Sequence, residues 1–185
     1  MSTNLEIEFK AELSKNDYES LILKYKNESI YQQINYYFDT PTLAIRNAKC
    51  GLRVREKNNE LELTLKVDQQ EGKLEINQNI SSLFRVGKEF PDGEVKNYIE
   101  NNLGIETKDI NILGKLVTNR LDIRYMSALI SIDESLYNGI CDYEIEIEDE
   151  SMELAKIHLK KFLIENNIEY KKSPGSKLRR FLSTL

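Results

Sequence analysis

Two short segments of this chain alternate charged and apolar residues in the same way: Glu6-Ile7-Glu8-Phe9-Lys10 near the start and Glu144-Ile145-Glu146-Ile147-Glu148 near the end. Side chains two apart on a strand point to one face. Read as strands, both segments put carboxylates on one face. In the first, Lys10 joins them, and Leu5, Ile7 and Phe9 take the other face. Adjacent carboxylates repel one another and are normally scattered or solvated. Held together with a cation beside them, they suit a divalent metal and a phosphate. Two such strands far apart in sequence are able to converge on one site.

The segments between them repeat the pattern. Arg53 and Arg55 share a face in Leu52-Arg53-Val54-Arg55, and Glu62, Thr64 and Lys66 share one in the next segment. Glu75 follows in Leu74-Glu75-Ile76, Arg120 in Thr118-Asn119-Arg120, and Asp133 in Ile130-Ser131-Ile132-Asp133. One such strand alone reads as the wet face of an open antiparallel sheet. The repetition over many strands calls for more. If these faces all look inward, Lys10, Arg53, Arg55, Lys66 and Arg120 meet Glu6, Glu8, Glu75, Asp133, Glu144 and Glu146. Burying that set dry would be prohibitive, so it would line a wet channel and be balanced by an ion-rich ligand. A polyphosphate with a divalent cation meets the demand: Arg offers a flat fork to phosphate oxygens, Lys a point charge, and glutamate hard oxygen donors.

The elements that would position these residues follow from periodicity. Period-2 alternation predicts strands near 4–12, 32–39, 51–57, 60–68, 72–80, 113–125, 127–134 and 141–149, with 113–125 read as one long strand or two pieces. Three stretches carry a helical pattern. Residues 15–27 follow Ser14, with Asp17 placed for a capping box. Residues 93–102 align Val95, Tyr98, Ile99 and Leu103, and 151–166 align Leu154, Ile157, Leu159, Phe162 and Leu163. The tail 173–185 opens on Ser-Pro-Gly, a turn signal, and then carries Lys177, Arg179 and Arg180. This set of elements predicts an α+β domain with flanking helices, dominated by one large and mostly antiparallel sheet; a sheet of eight strands is often closed into a barrel.

Composition sets outer bounds. A chain of 185 residues with 40% hydrophobic content is read as one domain over 1–185 with a sizeable core. Its net charge of −5 argues against a general nucleic-acid binder, which shows a basic stripe. Cys50 and Cys141, without close spacing, read as reduced thiols. No apolar run approaches a membrane span, and the strand-like start leaves no room for a signal peptide; the expectation is a cytoplasmic protein without membrane or nucleic-acid partners. An isologous homodimer is the default oligomer. His158, the only histidine, reads as incidental on a surface helix. Cys/His zinc spacing and a P-loop are both missing from the sequence. Tyr36, Tyr37 and Tyr143 read as packing residues.

In order along the chain, E-x-E-x-K at Glu6, Asn35-Tyr36-Tyr37-Phe38-Asp39-Thr40, Gly51-Leu52-Arg53-Val54-Arg55, Leu63-Thr64-Leu65-Lys66, Thr118-Asn119-Arg120, Ile132-Asp133 and Asp142-Tyr143-Glu144-Ile145-Glu146 resemble the CYTH superfamily, the triphosphate tunnel metalloenzymes. That superfamily includes class IV adenylate cyclases, thiamine triphosphatases and inorganic triphosphatases, and the short form here most resembles CYTH proteins of Gram-positive bacteria. The resemblance spans nearly the whole chain, and it implies an α+β fold built as a closed eight-stranded antiparallel barrel around a charged tunnel, with flanking helices. It implies that Glu6, Glu8, Glu144 and Glu146 hold magnesium or manganese. It implies that Lys10, Arg53, Arg55, Lys66 and Arg120 bind the triphosphate, with Glu75 and Asp133 as further tunnel acids. Lys177 matches a late basic position best, with Arg179 second. Glu148 extends the acidic strand one step, and Asp39 reads as a turn cap.

The reading that follows is a metal-dependent hydrolase of a small-molecule triphosphate, with Glu8, Lys66 and Glu146 as the catalytic set. The same constellation would serve adenylate cyclase chemistry, in which the ribose hydroxyl attacks the α-phosphorus and diphosphate leaves. A third reading is a non-catalytic module that binds polyphosphate or a nucleotide.

Overall fold

The computed structural model describes residues 2–70, 72–84 and 89–185. In chain order its first half contains β1 (Ser2–Glu6), β2 (Glu8–Leu13), α1 (Lys15–Lys24), β3 (Ile30–Asp39), α2 (Ala44–Asn47), β4 (Cys50–Lys57), β5 (Glu60–Asp68) and β6 (Lys73–Ile80). The second half contains α3 (Glu94–Asn97), β7 (Asn111–Tyr125), β8 (Ala128–Tyr137), β9 (Ile140–Glu148), α4 (Met152–Glu165), β10 (Lys171–Lys172) and α5 (Lys177–Leu182). The fold is α+β, as expected. Two compact units divide the chain: Met1–Glu6 with Gln33–Leu116, and Ile7–Gln32 with Val117–Leu185.

The expected closed eight-stranded barrel is corrected to a ten-stranded antiparallel sheet whose order ends at β1 on one side and β10 on the other. Part of the cause lies in the first segment, predicted as one strand. It breaks at Ile7, whose carbonyl accepts from Asp149 N at 3.2 Å just past β9. Residues before the break pair with β6, and residues after it pair with β9. The two-residue β10 then adds along β2. The segment 113–125 is a single strand, β7.

In the first unit, β4, β5 and β6 form an antiparallel meander, with β1 beyond β6 and β3 beyond β4. Asn58 and Asn59 both take left-handed φ (52° and 63°) in the two-residue link between the paired residues Lys57 and Glu60. This is the geometry that matches hairpin twist and fixes register. One face of the sheet packs Leu52, Val54, Leu63, Leu65, Val67 and Ile76 against Phe84, Phe90, Val95 and Ile99. The stretch expected as one helix over 93–102 is α-helical for Glu94–Asn97 and continues as a π turn over Tyr98–Asn102.

In the second unit, β7, β8, β9 and β2 run antiparallel in that order. Ile130, Ile132, Ile145, Ile147, Ala11 and Leu13 pack against Tyr18 and Leu21 of α1 and against Ala155, Leu159, Phe162 and Leu163 of α4. The Ser14 capping box forms: Ser14 Oγ accepts from Asp17 N at 3.1 Å, and the Asp17 carboxylate accepts from Ser14 N at 3.3 Å. On α4, Ile157 is 52% exposed, so the apolar stripe is narrower than its sequence suggests. His158 takes a place on the buried side instead.

Helix α5, like the short α2 and β10, is an element the sequence reading missed. It is six residues long and starts behind Ser176, whose Oγ accepts from Arg179 N at 3.2 Å. Among the described residues, no helix is long and apolar enough to cross a membrane. Cys50 is buried, Cys141 is exposed, and both are free.

Candidate active site

With one face of each strand buried in a core, the period of two puts the charged residues on the other face. In the second unit the register then sets them side by side. Arg120, Asp133 and Glu144 lie directly across from one another on β7, β8 and β9, and Lys10 and Glu146 on β2 and β9. Asp133 is 0% exposed and Glu144 2%.

Every one of these buried charges is met by its opposite. Arg120 grips Asp133 with two parallel bonds, Nε to Oδ1 at 2.7 Å and Nη2 to Oδ2 at 2.6 Å, and donates to Glu146 at 2.6 Å. Lys10 Nζ donates to Glu146 Oε1 at 2.7 Å and lies 2.9 Å from Glu8. Helix α5 projects Lys177 and Arg180, one turn apart, into the same face. Lys177 Nζ lies 2.7 Å from Asp133 and 2.9 Å from Glu146, and it also bonds Glu144. Arg180 bonds Asp142 at 2.9 Å and 3.2 Å, Glu144 at 2.9 Å and the Gly175 carbonyl at 2.6 Å.

The titration behaviour follows. Burial opposes the charged form of Lys10, but Glu146, Glu8 and Glu144 outweigh it and raise its pKa above the ordinary lysine value. Lys177 is raised in the same way: burial acts against it and Asp133, Glu146 and Glu144 prevail. Arg120 and Arg180 are held further above their usual value by their carboxylates despite burial. Burial pushes Glu146 upward, but Lys10, Lys177 and Arg120 hold it well below the carboxylate range.

The carboxylates of Asp133, Glu144 and Glu146 each present an oxygen within 4.8 Å of the others. Three convergent hard-oxygen donors fit magnesium or manganese, and a cation there would take the place that the Lys177 ammonium holds among them. Of the four expected metal ligands, Glu144 and Glu146 belong to this group. Asp133, expected only as a further tunnel acid, completes it. Glu8, in the same unit, lies beside Lys10 instead.

The first unit builds its own charged face. Lys66 on β5 stands directly opposite Glu75 on β6, with Nζ 2.5 Å from it, and the same ammonium is 2.5 Å from Glu6 at the end of β1. Arg53 reaches Glu75 at 3.7 Å, and Arg55 Nε donates to Asn35 Oδ1 at 3.4 Å. Burial raises Glu75, but Lys66 and Arg53 outweigh it and bring its pKa down to about 2.

The geometry adds and moves some residues. Arg180, not Arg179, joins Lys177 at the carboxylates; Arg179 is exposed. The available signal was the spacing of three between Lys177 and Arg180 behind a Ser176 cap. Asp142, present in the acidic strand, pairs with Arg180. Glu148 is exposed opposite Glu8. His158 is not on a solvent face: it is 9% exposed, and its Nδ1 lies 2.7 Å from Asp149 Oδ2. Asp39 caps as expected, accepting from the backbone N–H groups of Thr40, Ile45 and Arg46 at 2.7–3.0 Å. Tyr143 packs against Tyr18 of α1, the two rings tilted by 34° with centroids 4.7 Å apart.

Known proteins resemble this chain in sequence and in fold. Residues 4–182 match the CYTH domain. "Putative triphosphatase YjbK" of Bacillus subtilis is 34% identical over 182 residues, covering 97% of this chain and 95% of that protein. A crystal structure from Bacillus halodurans, described as a "putative adenylate cyclase", superposes with a TM-score of 0.87 at 32% identity, covering 98% and 99% of the two chains. HpAC1 of Hippeastrum shares the fold at 23% identity and a TM-score of 0.78, covering 97% and 96%. A match over almost every strand that carries the charged faces, together with a relative above 30% identity along its whole length, makes this chain a member of the CYTH family.

Proposed function

We propose that this protein is a divalent-metal-dependent hydrolase of triphosphate compounds. The observation that carries the reading is the cluster of Asp133, Glu144 and Glu146 held under Lys10, Arg120 and Lys177 on one sheet face. Carboxylates without those cations would suit a metal alone, and cations without the carboxylates a phosphate alone; together they suit a metal–phosphate ligand. The description of the Bacillus subtilis relative as a triphosphatase supports the same reading.

Asp133, Glu144 and Glu146, with Glu8 of the same unit, are the residues that would hold magnesium or manganese. When bound, such a cation neutralises phosphate charge and polarises the scissile phosphoryl group. Lys10, Arg120 and Lys177 already carry firm positive charge, and a phosphate chain offers them oxygens in exchange for their carboxylates. On the charged face of the first unit, Arg53, Arg55 and Lys66 offer phosphate oxygens donors of the same kind, and Glu75 keeps Lys66 oriented. Fixed cations of this kind stabilise the charge that gathers on phosphate oxygens as the bond to the leaving group breaks. A water aligned and deprotonated at a glutamate of the cluster would attack the terminal phosphorus, giving orthophosphate and a diphosphate. The CYTH domain of residues 4–182 would carry this activity, with the cytoplasm as its proposed setting.

The second reading is adenylate cyclase chemistry at the same residues, favoured by the description of the Bacillus halodurans structure. One assay separates the two. Orthophosphate release from tripolyphosphate, thiamine triphosphate or ATP, dependent on magnesium or manganese and lost in Glu8→Gln, supports the hydrolase. Cyclic AMP and diphosphate formed from ATP, without orthophosphate release, would replace it with the cyclase.

A further inference from the structure

On the charged face of the first unit, one row of residues differs from its neighbours. Arg53, Thr64 and Asn77 stand directly across from one another on β4, β5 and β6. Each keeps a buried polar atom without a hydrogen-bond partner among the described residues: Arg53 Nε, Thr64 Oγ1 and Asn77 Oδ1. Thr64 is 0% exposed and Asn77 7%. A single unpaired hydroxyl in a core is ordinary packing. Three in register on adjacent strands are not, because buried polar groups are almost always satisfied.

The neighbours explain what is missing. Arg53 and Lys66 are donors only, and Asn77 Oδ1, the acceptor on the residue across from Thr64, does not take the hydroxyl proton. The next row, Lys66 opposite Glu75, is closed on itself at 2.5 Å. The Thr64 proton and Arg53 Nε–H therefore both await an acceptor, on a face whose flanking side chains include a guanidinium and an ammonium. A half-turn of the Asn77 amide would present its NH₂ to the same point. An anionic oxygen accepts from the Thr64 hydroxyl and from Arg53 Nε–H, and from Asn77 only once its amide is turned.

We propose that Thr64, with Asn77 beside it, is a direct ligand for a phosphate oxygen of the substrate, completing the donor set of Arg53 and Lys66. This rests on the triphosphate reading above and assigns a role to a neutral residue within it. The hydroxyl adds a directional donor without adding charge, so it fixes the phosphate's position and its removal weakens binding more than turnover.

The test is calorimetric titration of the whole chain with the imido analogue of tripolyphosphate, which resists hydrolysis, in the presence of magnesium. Thr64→Val keeps the shape and removes the hydroxyl; Thr64→Ser restores it. The expected result is binding weakened about tenfold in Thr64→Val and restored in Thr64→Ser. The melting temperature of Thr64→Val should be equal or higher, since an unpaired buried hydroxyl is gone. Asn77→Ala provides a second variant should Thr64→Val not fold, with the same direction expected. Unchanged binding in Thr64→Val, or in Asn77→Ala where that stands in for it, overturns the assignment while leaving the triphosphate reading intact. No binding by the unaltered chain overturns both.

Discussion

Lys10 and Glu146 stand directly opposite each other on β2 and β9, and the Lys10 ammonium donates to the Glu146 carboxylate at 2.7 Å across 136 positions of sequence. Glu146 is also the meeting point of Arg120 and Lys177. No other carboxylate of this cluster touches three cations, so it is the group whose charge matters most to both metal and phosphate. Glu146→Gln keeps the shape and removes the charge. Phosphate release should fall roughly 100-fold or more, with an unchanged circular dichroism spectrum. Activity within a few-fold of the unaltered protein would remove Glu146 from the chemistry.

Lys177 holds the three carboxylates that would otherwise share a cation. Without substrate, its ammonium and a divalent metal compete for the same oxygens. Lys177→Ala should therefore bind manganese about tenfold more tightly in the absence of any phosphate, since one lost unit of competing charge at close range is worth about 1.4 kcal/mol or more. Manganese titration followed by electron paramagnetic resonance reads this directly. Equal or weaker affinity in the variant would show that Lys177 does not compete with the metal.

Glu75 makes a prediction about acid stability. Its pKa is lowered from 4.5 to about 2 in the folded protein. A depressed carboxylate favours the folded state above its unfolded pKa, and that contribution is lost as pH falls through the folded value. The loss runs between roughly pH 5 and pH 2 and amounts to about 3 kcal/mol. Urea unfolding across this window should show a steep fall for the unaltered chain and a shallower one for Glu75→Gln. Parallel curves would mean that Lys66 and Arg53 do not hold Glu75 ionised.

Arg180 and Arg179 separate structure from sequence order. Arg180 is 9% exposed and ties α5 to Asp142 and Glu144; Arg179 is exposed. Arg180→Ala leaves two carboxylates without this partner and should destabilise by about 3 kcal/mol, while Arg179→Ala should change stability by less than about 0.5 kcal/mol. Urea midpoints for the two variants measure it, and equal midpoints would refute the burial of Arg180 as an energetic tie.

The sequence by itself determined the strands, their two faces and most of the charged residues, because period-2 alternation depends only on neighbours along the chain. Arg53, Lys66, Glu75, Arg120, Asp133, Glu144 and Glu146 were all legible this way, and Ser14 and Asp17 announced the start of α1 through local hydrogen bonding. Only the tertiary structure decided which charges meet. Register set Asp133, rather than Glu8, with Glu144 and Glu146, since cross-strand neighbours are fixed by pairing and not by spacing. The break at Ile7 was invisible for the same reason: it exists because residues on either side of it pair with different strands. His158 read as a surface residue because a lone histidine on a helix is usually incidental, and its burial was decided by what packs against it. Helix α5 was too short for a periodic signal, and Arg180 became part of the cluster only because the fold lays that single turn over the carboxylates of β9.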